Sequence, residues 1–299
     1  MLTTPHFLMV SPTYFDVSYL INPWMRPDAW RENPDRMRQR GLAAAQALRI
    51  CIEQAGGTVE MADGVPGLPD MVFPANAAVV LDGKALMARF RYPERQGEEA
   101  HFLALFRDLQ QRGLIQQIVT LPLGCFQEGA GDCIWDAGRQ HFWAGFGPRS
   151  SRSALEVIAA TFGKPVVPLE LATERCYHLD VCFCLLSGGE ILYLPSALTP
   201  QALRTLRRTV NPDMLIEATE DDLLHFNINA VSLGREIITS LCTPALRQRL
   251  QARGYHVTEV DLAPFMLSGG GAYCMTLRLD RSSVPQHATS HLSLADATH

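Results

Sequence analysis

Apolar and polar positions recur in this chain with a long period. Residues 77–90 (AAVVLDGKALMARF) form two apolar runs joined through Asp82-Gly83, a pairing that predicts a tight hairpin. Residues 133–146 (CIWDAGRQHFWAGF) repeat the pattern around Ala137-Gly138, 181–195 (VCFCLLSGGEILYLP) around Gly188-Gly189, and 230–242 (AVSLGREIITSLC) around Gly234. The hairpins begin 56, 48 and 49 residues apart. A helical pattern and then a short strand follow each one. Glu98 to Arg112 puts Phe102, Leu105, Phe106 and Leu109 on one face, Gly113 stops it, and IVTLP is extended. Ser153 is placed to cap a helix reaching Phe162, with Gly163 closing it and VVPLEL as the strand. Thr199 caps QALRTLRRTV ahead of MLIEA, and Thr243 caps PALRQRLQARG, with Pro244 at the first helical position, ahead of HVTEVDL.

The N-terminal part supplies a strand (HFLMVS), a helix near residues 35–55 and a strand (TVEMA); AYCMTLRL at 272–279 reads as a lone strand that could complete them. The count is four ββαβ units and a fifth divided between the chain ends. Self-similarity at about 50 residues points to repeated units around an axis. Pairing the two ends removes open sheet edges and closes the ring. An open α+β sandwich is the competing architecture.

A short polar cluster stands just ahead of each hairpin: Asp70 and Asn76, Glu128 and Asp132, His178 and Asp180, Asn227 and Asn229, and in the divided unit LSGGGAYC, ending in Cys274. Singly, such residues are turn formers or structural side chains. Recurrence at equivalent places changes that reading, because rotation about an axis would bring carboxylates, amides, an imidazole and a thiol into one pocket. Gly269-Gly270-Gly271 permits backbone conformations closed to other residues and a close approach of ligand.

Composition narrows the class. The 299 residues are 47% apolar and 19% charged, which fits a folded protein, and the net charge of −5 speaks against nucleic acid as the main ligand and against a polybasic membrane anchor. No run of about 18 apolar residues occurs, and MLTTPHFLMV lacks a basic segment followed by an apolar core, so neither a membrane span nor a secretory leader is expected. Eight cysteines without a C-x-x-C pair argue against zinc ribbons and suit a reducing, cytoplasmic setting. Cys182 and Cys184 should be buried thiols on one strand face. No metal or organic cofactor is expected. Exposed helical faces leave room for a homo-oligomer, without a heptad seam to specify one.

The segments SPTYFDVSYLINPWM (11–25), LPDMVFPANA (68–77), RFRYPERQGEE (89–99), EGAGD (128–132), CYHLD (176–180), NAVSLG (229–234) and SGGGAYCMTLRL (268–279) together resemble the guanidino-group-modifying enzymes of the pentein fold, a five-bladed α/β propeller. The pattern is most similar to the arginine dihydrolases; dimethylarginine dimethylaminohydrolases and arginine deiminases resemble it less. The likeness runs through nearly all of residues 6–281 and implies a single catalytic domain over 1–299, with a polar tail at about 282–299. Some dihydrolases carry a large C-terminal extension that these residues do not include.

The resemblance implies covalent chemistry at a guanidinium carbon of L-arginine or a related guanidino amino acid. Cys274 matches the nucleophile and His178 the general acid/base. Glu128 matches a carboxylate that holds guanidinium nitrogens or orients the histidine, and Asp180 a third group at the substrate or the site. Asp70 and Asp132 fall among substrate-binding acids. Arg95 and Arg149 fall where relatives grip the α-carboxylate, and Asn22 lies in a lid-like loop.

A guanidinium is a poor electrophile, so carboxylates must fix it near the thiol, and the thiol must be helped to ionise. His178 would protonate departing ammonia and then activate water. Position 76 separates subclasses: deiminases and dimethylarginine hydrolases resemble one another in an aspartate there, whereas this chain has asparagine, as the dihydrolases do. A neutral amide can also accommodate neutral citrulline, allowing a second attack that yields ornithine, CO2 and a second ammonia. Pro74 departs from the threonine of the dihydrolase motif, which puts the pocket geometry beside Asn76 in question. The alternatives are a deiminase or dimethylarginine hydrolase that stops at citrulline and, less favoured, a non-catalytic pentein that binds a macromolecule.

Overall fold

The computed structural model describes residues 4–284. The polar tail expected at about 282–299 lies outside the described residues from 285 onward. Five three-stranded sheets follow one plan: an inner strand pairs antiparallel with a middle strand, and a helix crosses over to an outer strand parallel to the middle one. Complete units are β3 (Ala78–Leu81), β4 (Lys84–Met87) and β5 (Gln117–Thr120); β6 (Cys133–Asp136), β7 (His141–Phe146) and β8 (Val166–Glu170); β9 (Phe183–Leu185), β10 (Ile191–Tyr193) and β11 (Leu215–Glu217); β12 (Val231–Leu233), β13 (Glu236–Thr239) and β14 (His256–Glu259). The divided unit joins β1 (His6–Val10) and β2 (Thr58–Ala62) to the inner strand β15 (Leu277–Arg278). Phe7 pairs with Arg278 and Leu8 with Leu277, so the ends close the ring. These five repeated ββαβ units are the five-bladed α/β propeller, and the open sandwich is set aside.

Local chemistry explains the elements. Asp82 (φ 51°) and Gly83 (φ 71°) are both left-handed, which is what a two-residue turn between Leu81 and Lys84 needs. Between β6 and β7 the left-handed residue is Gln140 (φ 56°), not the expected Gly138. The crossover helices are α1 (Pro34–Gln54), α2 (Glu98–Gln111), α3 (Ala154–Phe162), α4 (Pro200–Thr209) and α5 (Pro244–Gln251). The side chains of Thr199 and Thr243 accept from Ala202 N and Leu246 N, as expected, and each helix opens on proline. Ser153 makes no cap; its own backbone is helical and its hydroxyl faces Cys125 Sγ at 3.7 Å. On α2, Phe102, Phe106 and Leu109 are buried while Leu105 is half-buried.

The lone strand expected over 272–279 shrinks to Leu277–Arg278. Ala272–Met275 form a turn, because the Cys274 amide donates to Asn229 Oδ1 (3.1 Å) and its carbonyl accepts from Ala75 N (3.2 Å). Those bonds tie the backbone to neighbouring units instead of a ladder. Similar short 3₁₀ turns, Pro74–Asn76, Gly129–Gly131 and Leu179–Val181, precede β3, β6 and β9. Each turn stands just before an inner strand and carries or adjoins the polar residues of its cluster. Cys182 lies one residue ahead of β9 and Cys184 within it; both are buried in one cluster.

Candidate active site

The polar clusters meet at one end of the hub. Ile21, Asn22, Asp70, Phe73, Asn76, Arg95, Arg149, Tyr177, Ser268 and Cys274 line a narrow cleft. Glycine makes the Cys274 loop possible at two points. Gly269 has φ +91°, and a Cβ on Gly270 would sit 2.2 Å from the Phe73 ring.

The thiol of Cys274 donates to Asp180 Oδ2 (3.2 Å) and accepts from Asn229 Nδ2 (3.1 Å). Burial and the Asp180 charge push it well above the ordinary thiol range, so it is protonated while the site is empty. Burial also pushes Asp180 up, to about 7, against the hydrogen bond from Cys274. Its other oxygen, Oδ1, is buried with no hydrogen-bond partner among the described residues. A buried acceptor left open beside a nucleophile is a place for a ligand donor.

His178 is held from both sides. Nε2 lies 2.7 Å from Glu128 Oε2 and Nδ1 lies 3.3 Å from Asn76 Nδ2. Arg95 Nη1 donates to Asn76 Oδ1 (2.9 Å), which fixes the amide orientation because a guanidinium only donates. Asn76 Nδ2 must then donate to Nδ1, so the imidazole proton sits on Nε2, against Glu128. That leaves Nδ1 a base facing a residue of the cleft wall.

Glu128 itself does not border the cleft. Its oxygens accept from Arg91 N (3.0 Å), Arg149 Nη1 (3.1 Å) and His178. Burial alone would raise this carboxyl, but Arg149 and His178 outweigh it and hold Glu128 well below the usual carboxylate range. Of its two expected tasks, this geometry suits orienting the histidine. Asp132 is also turned away: Oδ2 accepts from Ser150 Oγ (2.6 Å) and Oδ1 from Leu179 N (2.9 Å). Burial pushes it to about 6, and its bonds position the turn after His178 rather than a substrate.

Both arginines reach the cleft. Arg149 lies between the Tyr92 and Tyr177 rings (4.5 and 4.8 Å) and donates to Ile21 O (2.8 Å). Arg95 is bidentate to Glu98 (2.8 Å twice), which leaves it less free for a carboxylate than expected. Asp70 faces the cleft with Oδ1 on Ser268 Oγ (2.9 Å). Asn22 Nδ2 donates to Ser268 O (3.0 Å) and fastens the lid-like loop to the glycine turn. Pro74 starts a 3₁₀ turn, where its missing N–H has no ladder partner to lose, so Asn76 is placed without distortion. Sequence reading missed two residues: Asn229, which grips the nucleophile twice, and Glu98, the partner of Arg95. Only the place of Asn229 in a repeated polar cluster hinted at it. Asn227, its neighbour, bonds Ser240 Oγ and Leu241 O and is structural. No group of three or more His, Cys, Asp or Glu among the described residues could hold a metal ion.

A five-bladed ring whose hub gathers a thiol, an imidazole and several carboxylates defines the pentein class of guanidino-group-modifying enzymes. The model of the N,N dimethylarginine dimethylhydrolase family, eukaryotic, matches residues 13–281, and the chain belongs to that family. It is 37% identical over 283 residues to the bifunctional arginine dihydrolase/ornithine cyclodeaminase ArgZ of Synechocystis sp., covering 94% of this chain but 39% of that protein. It is 33% identical to the N(G),N(G)-dimethylarginine dimethylaminohydrolase of Mycobacterium tuberculosis, covering 92% of this chain and 86% of that protein. The solved N-terminal domain of the cyanobacterial ArgZ, a cysteine-to-serine variant bound to substrate, superposes with a TM-score of 0.87 at 36% identity, covering 94% of this chain and 100% of that one. The same domain has also been solved, as an asparagine-to-serine variant, covalently bound to a reaction intermediate.

Proposed function

We propose that this chain is a cysteine-dependent hydrolase of L-arginine that removes both terminal guanidinium nitrogens, giving ornithine, CO2 and two ammonia. The observation that carries the reading is a cleft lined by Cys274, Asp70 and, at position 76, an amide rather than a carboxylate, with an unpartnered oxygen on Asp180, the acid that accepts from the thiol. The likeness to ArgZ supports the same reaction, and the family supports the guanidino substrate. Asp180 and Asp70 take guanidinium N–H donors, and Arg149 and Arg95, the cations that line the cleft, are left for the carboxylate. As the bound cation takes the place of the thiol proton at Asp180, that proton passes to His178 and the cation stabilises the thiolate. Sulfur attacks the guanidinium carbon, and ammonia leaves with a proton carried through His178. A water that gives its proton to His178 Nδ1 then attacks the amidino thioether and releases citrulline. Asn76, uncharged, retains citrulline. A second attack expels the second ammonia, and water cleaves the carbamoyl thioester to a carbamate that loses CO2.

We also take residues 1–299 as one catalytic domain working in a reducing cytoplasm. Eight free cysteines support the setting, and no described helix is long and apolar enough to cross a membrane. The test is to incubate the protein with arginine, and separately with citrulline, and to quantify ornithine and ammonia. Ornithine from both substrates is expected. Citrulline as the sole end product, with none consumed, replaces the dihydrolase by a deiminase. No turnover of arginine or methylated arginine defeats the enzymatic reading.

A further inference from the structure

The hub is also hollow at its other end. Side chains from all five inner strands line a narrow channel, among them Val80 of β3, Trp135 of β6, Leu185 of β9, Ser232 of β12 and Arg278 of β15. Cys274 precedes β15 and Arg281 follows it, so the channel and the candidate active site lie at opposite ends of the same strand. The walls are mostly apolar, and their charges are two guanidinium groups. Arg278 is neutralised by Asp280, which it meets at 2.6 and 2.7 Å. Arg281 is different. It is partly buried, and among the described residues its side chain makes no hydrogen bond and no ion pair. Burial, then the neighbouring Arg278, push it down to about 10, further than the nearby Tyr273 and Asp280 offset.

Nearby groups do not supply that charge. Asp82 accepts from Ser282 Oγ and Ser283 N, and Asp280 is taken by Arg278. The hydroxyls of Tyr273 and Thr276 donate to the carbonyls of Ala130 and Tyr273. A guanidinium half-buried against apolar walls is only partly hydrated, and its planar fork of donors matches an oxyanion.

We infer that this channel is a binding site for a small oxyanion, a carboxylate or phosphate group, held by Arg281 at the end of the hub remote from Cys274. The site is independent of the reaction proposed above.

Calorimetric titration of inorganic phosphate and, separately, of acetate at constant ionic strength tests it and tells the two sources apart. One saturable site per chain is expected for at least one anion, weakened at least tenfold by Arg281→Gln and less by Arg281→Lys. Arginine turnover by the variants checks that they fold. No saturable binding of either anion overturns the inference. Equal binding by wild type and Arg281→Gln does so too, since it places the anion at the substrate-carboxylate end of the cleft. Should the variants not fold, wild-type crystals soaked in selenate decide. Anomalous density within hydrogen-bond distance of Arg281 supports the site, and a channel without it refutes the site.

Discussion

Replacing Asn229 with aspartate probes how the nucleophile is held. Its Nδ2 donates to Cys274 Sγ at 3.1 Å while its Oδ1 accepts from the Cys274 amide. Aspartate keeps the shape and the acceptor but turns the donor beside sulfur into a second carboxylate oxygen. Two negative charges at that separation repel by about 5 kcal/mol with an effective dielectric of about 20. At about 1.4 kcal/mol per pK unit, the thiol should ionise about four units higher than in the wild type. If the new carboxyl takes up a proton instead, it must lose that proton as pH rises, and the thiolate fails there. In both cases a thiolate and an ionised Asp at 229 do not coexist. The assay is the rate of iodoacetamide alkylation of Cys274 against pH, followed by mass spectrometry so that the other cysteines do not interfere. Asn229→Ala serves as the control for lost hydrogen bonds alone, with turnover down about 10²–10³-fold by analogy with loss of one oxyanion donor. An Asn229→Asp protein that alkylates with the wild-type pH profile and hydrolyses arginine within tenfold of wild type would refute the argument.

Cys274→Ser should abolish ammonia release while arginine still binds by calorimetry; undiminished release removes Cys274 from its role. In that Cys274→Ser background, arginine affinity should fall about tenfold per unit as pH drops below about 7, because protonated Asp180 cannot accept the guanidinium. Adding Asp180→Asn should flatten that limb, and an unchanged limb would contradict the assignment. Arg149→Met leaves the buried Glu128 with only His178 and the Arg91 amide, with an expected loss of about 3–5 kcal/mol in urea unfolding. The sign follows from the charge. In the wild type the depressed Glu128 adds stability that is present above the ordinary carboxylate value and lost on acidification. In the variant Glu128 rises, so its contribution is lost as pH increases. A variant whose deficit does not grow from pH 5 to 8 would count against Arg149 as the main counter-charge.

Much of this architecture is legible in the sequence because it is written locally. Asp82-Gly83 dictates its turn, Thr199 and Thr243 cap their helices, and polar clusters recur ahead of the inner strands. What fails is set by distant partners. AYCMTLRL alternates like a strand, yet Asn229 and Ala75 claim the backbone of Cys274 and bend it into a turn. Ser153 has a capping residue's identity, but its backbone is already helical. Asp132 and Glu128 are acids in the right cluster, and only the positions of Ser150, Leu179, Arg91 and Arg149 reveal that their oxygens are taken. Glu98 reads as an ordinary first-turn acid of α2, and nothing local marks it as the anchor of Arg95.

That anchor gives position 76 a physical meaning. Glu98 holds Arg95, Arg95 fixes Asn76 Oδ1, and Asn76 Nδ2 faces His178 Nδ1. Arg95 donates to both Glu98 and Asn76, and Asn76 in turn donates to His178. An asparagine therefore keeps His178 Nδ1 unprotonated in the empty site, its lone pair accepting from Asn76 until a water replaces that donor. An aspartate at 76 would present an acceptor to both neighbours, so Nδ1 would have to carry a proton, and a negative charge would stand opposite any ligand in the cleft. The first arrangement tolerates a neutral ureido group and supplies a base for repeated hydrolysis. The second favours a cation and loses its hold once the product is neutral. One amide nitrogen thus links the charge of the ligand that can stay to the protonation state of the group that processes it.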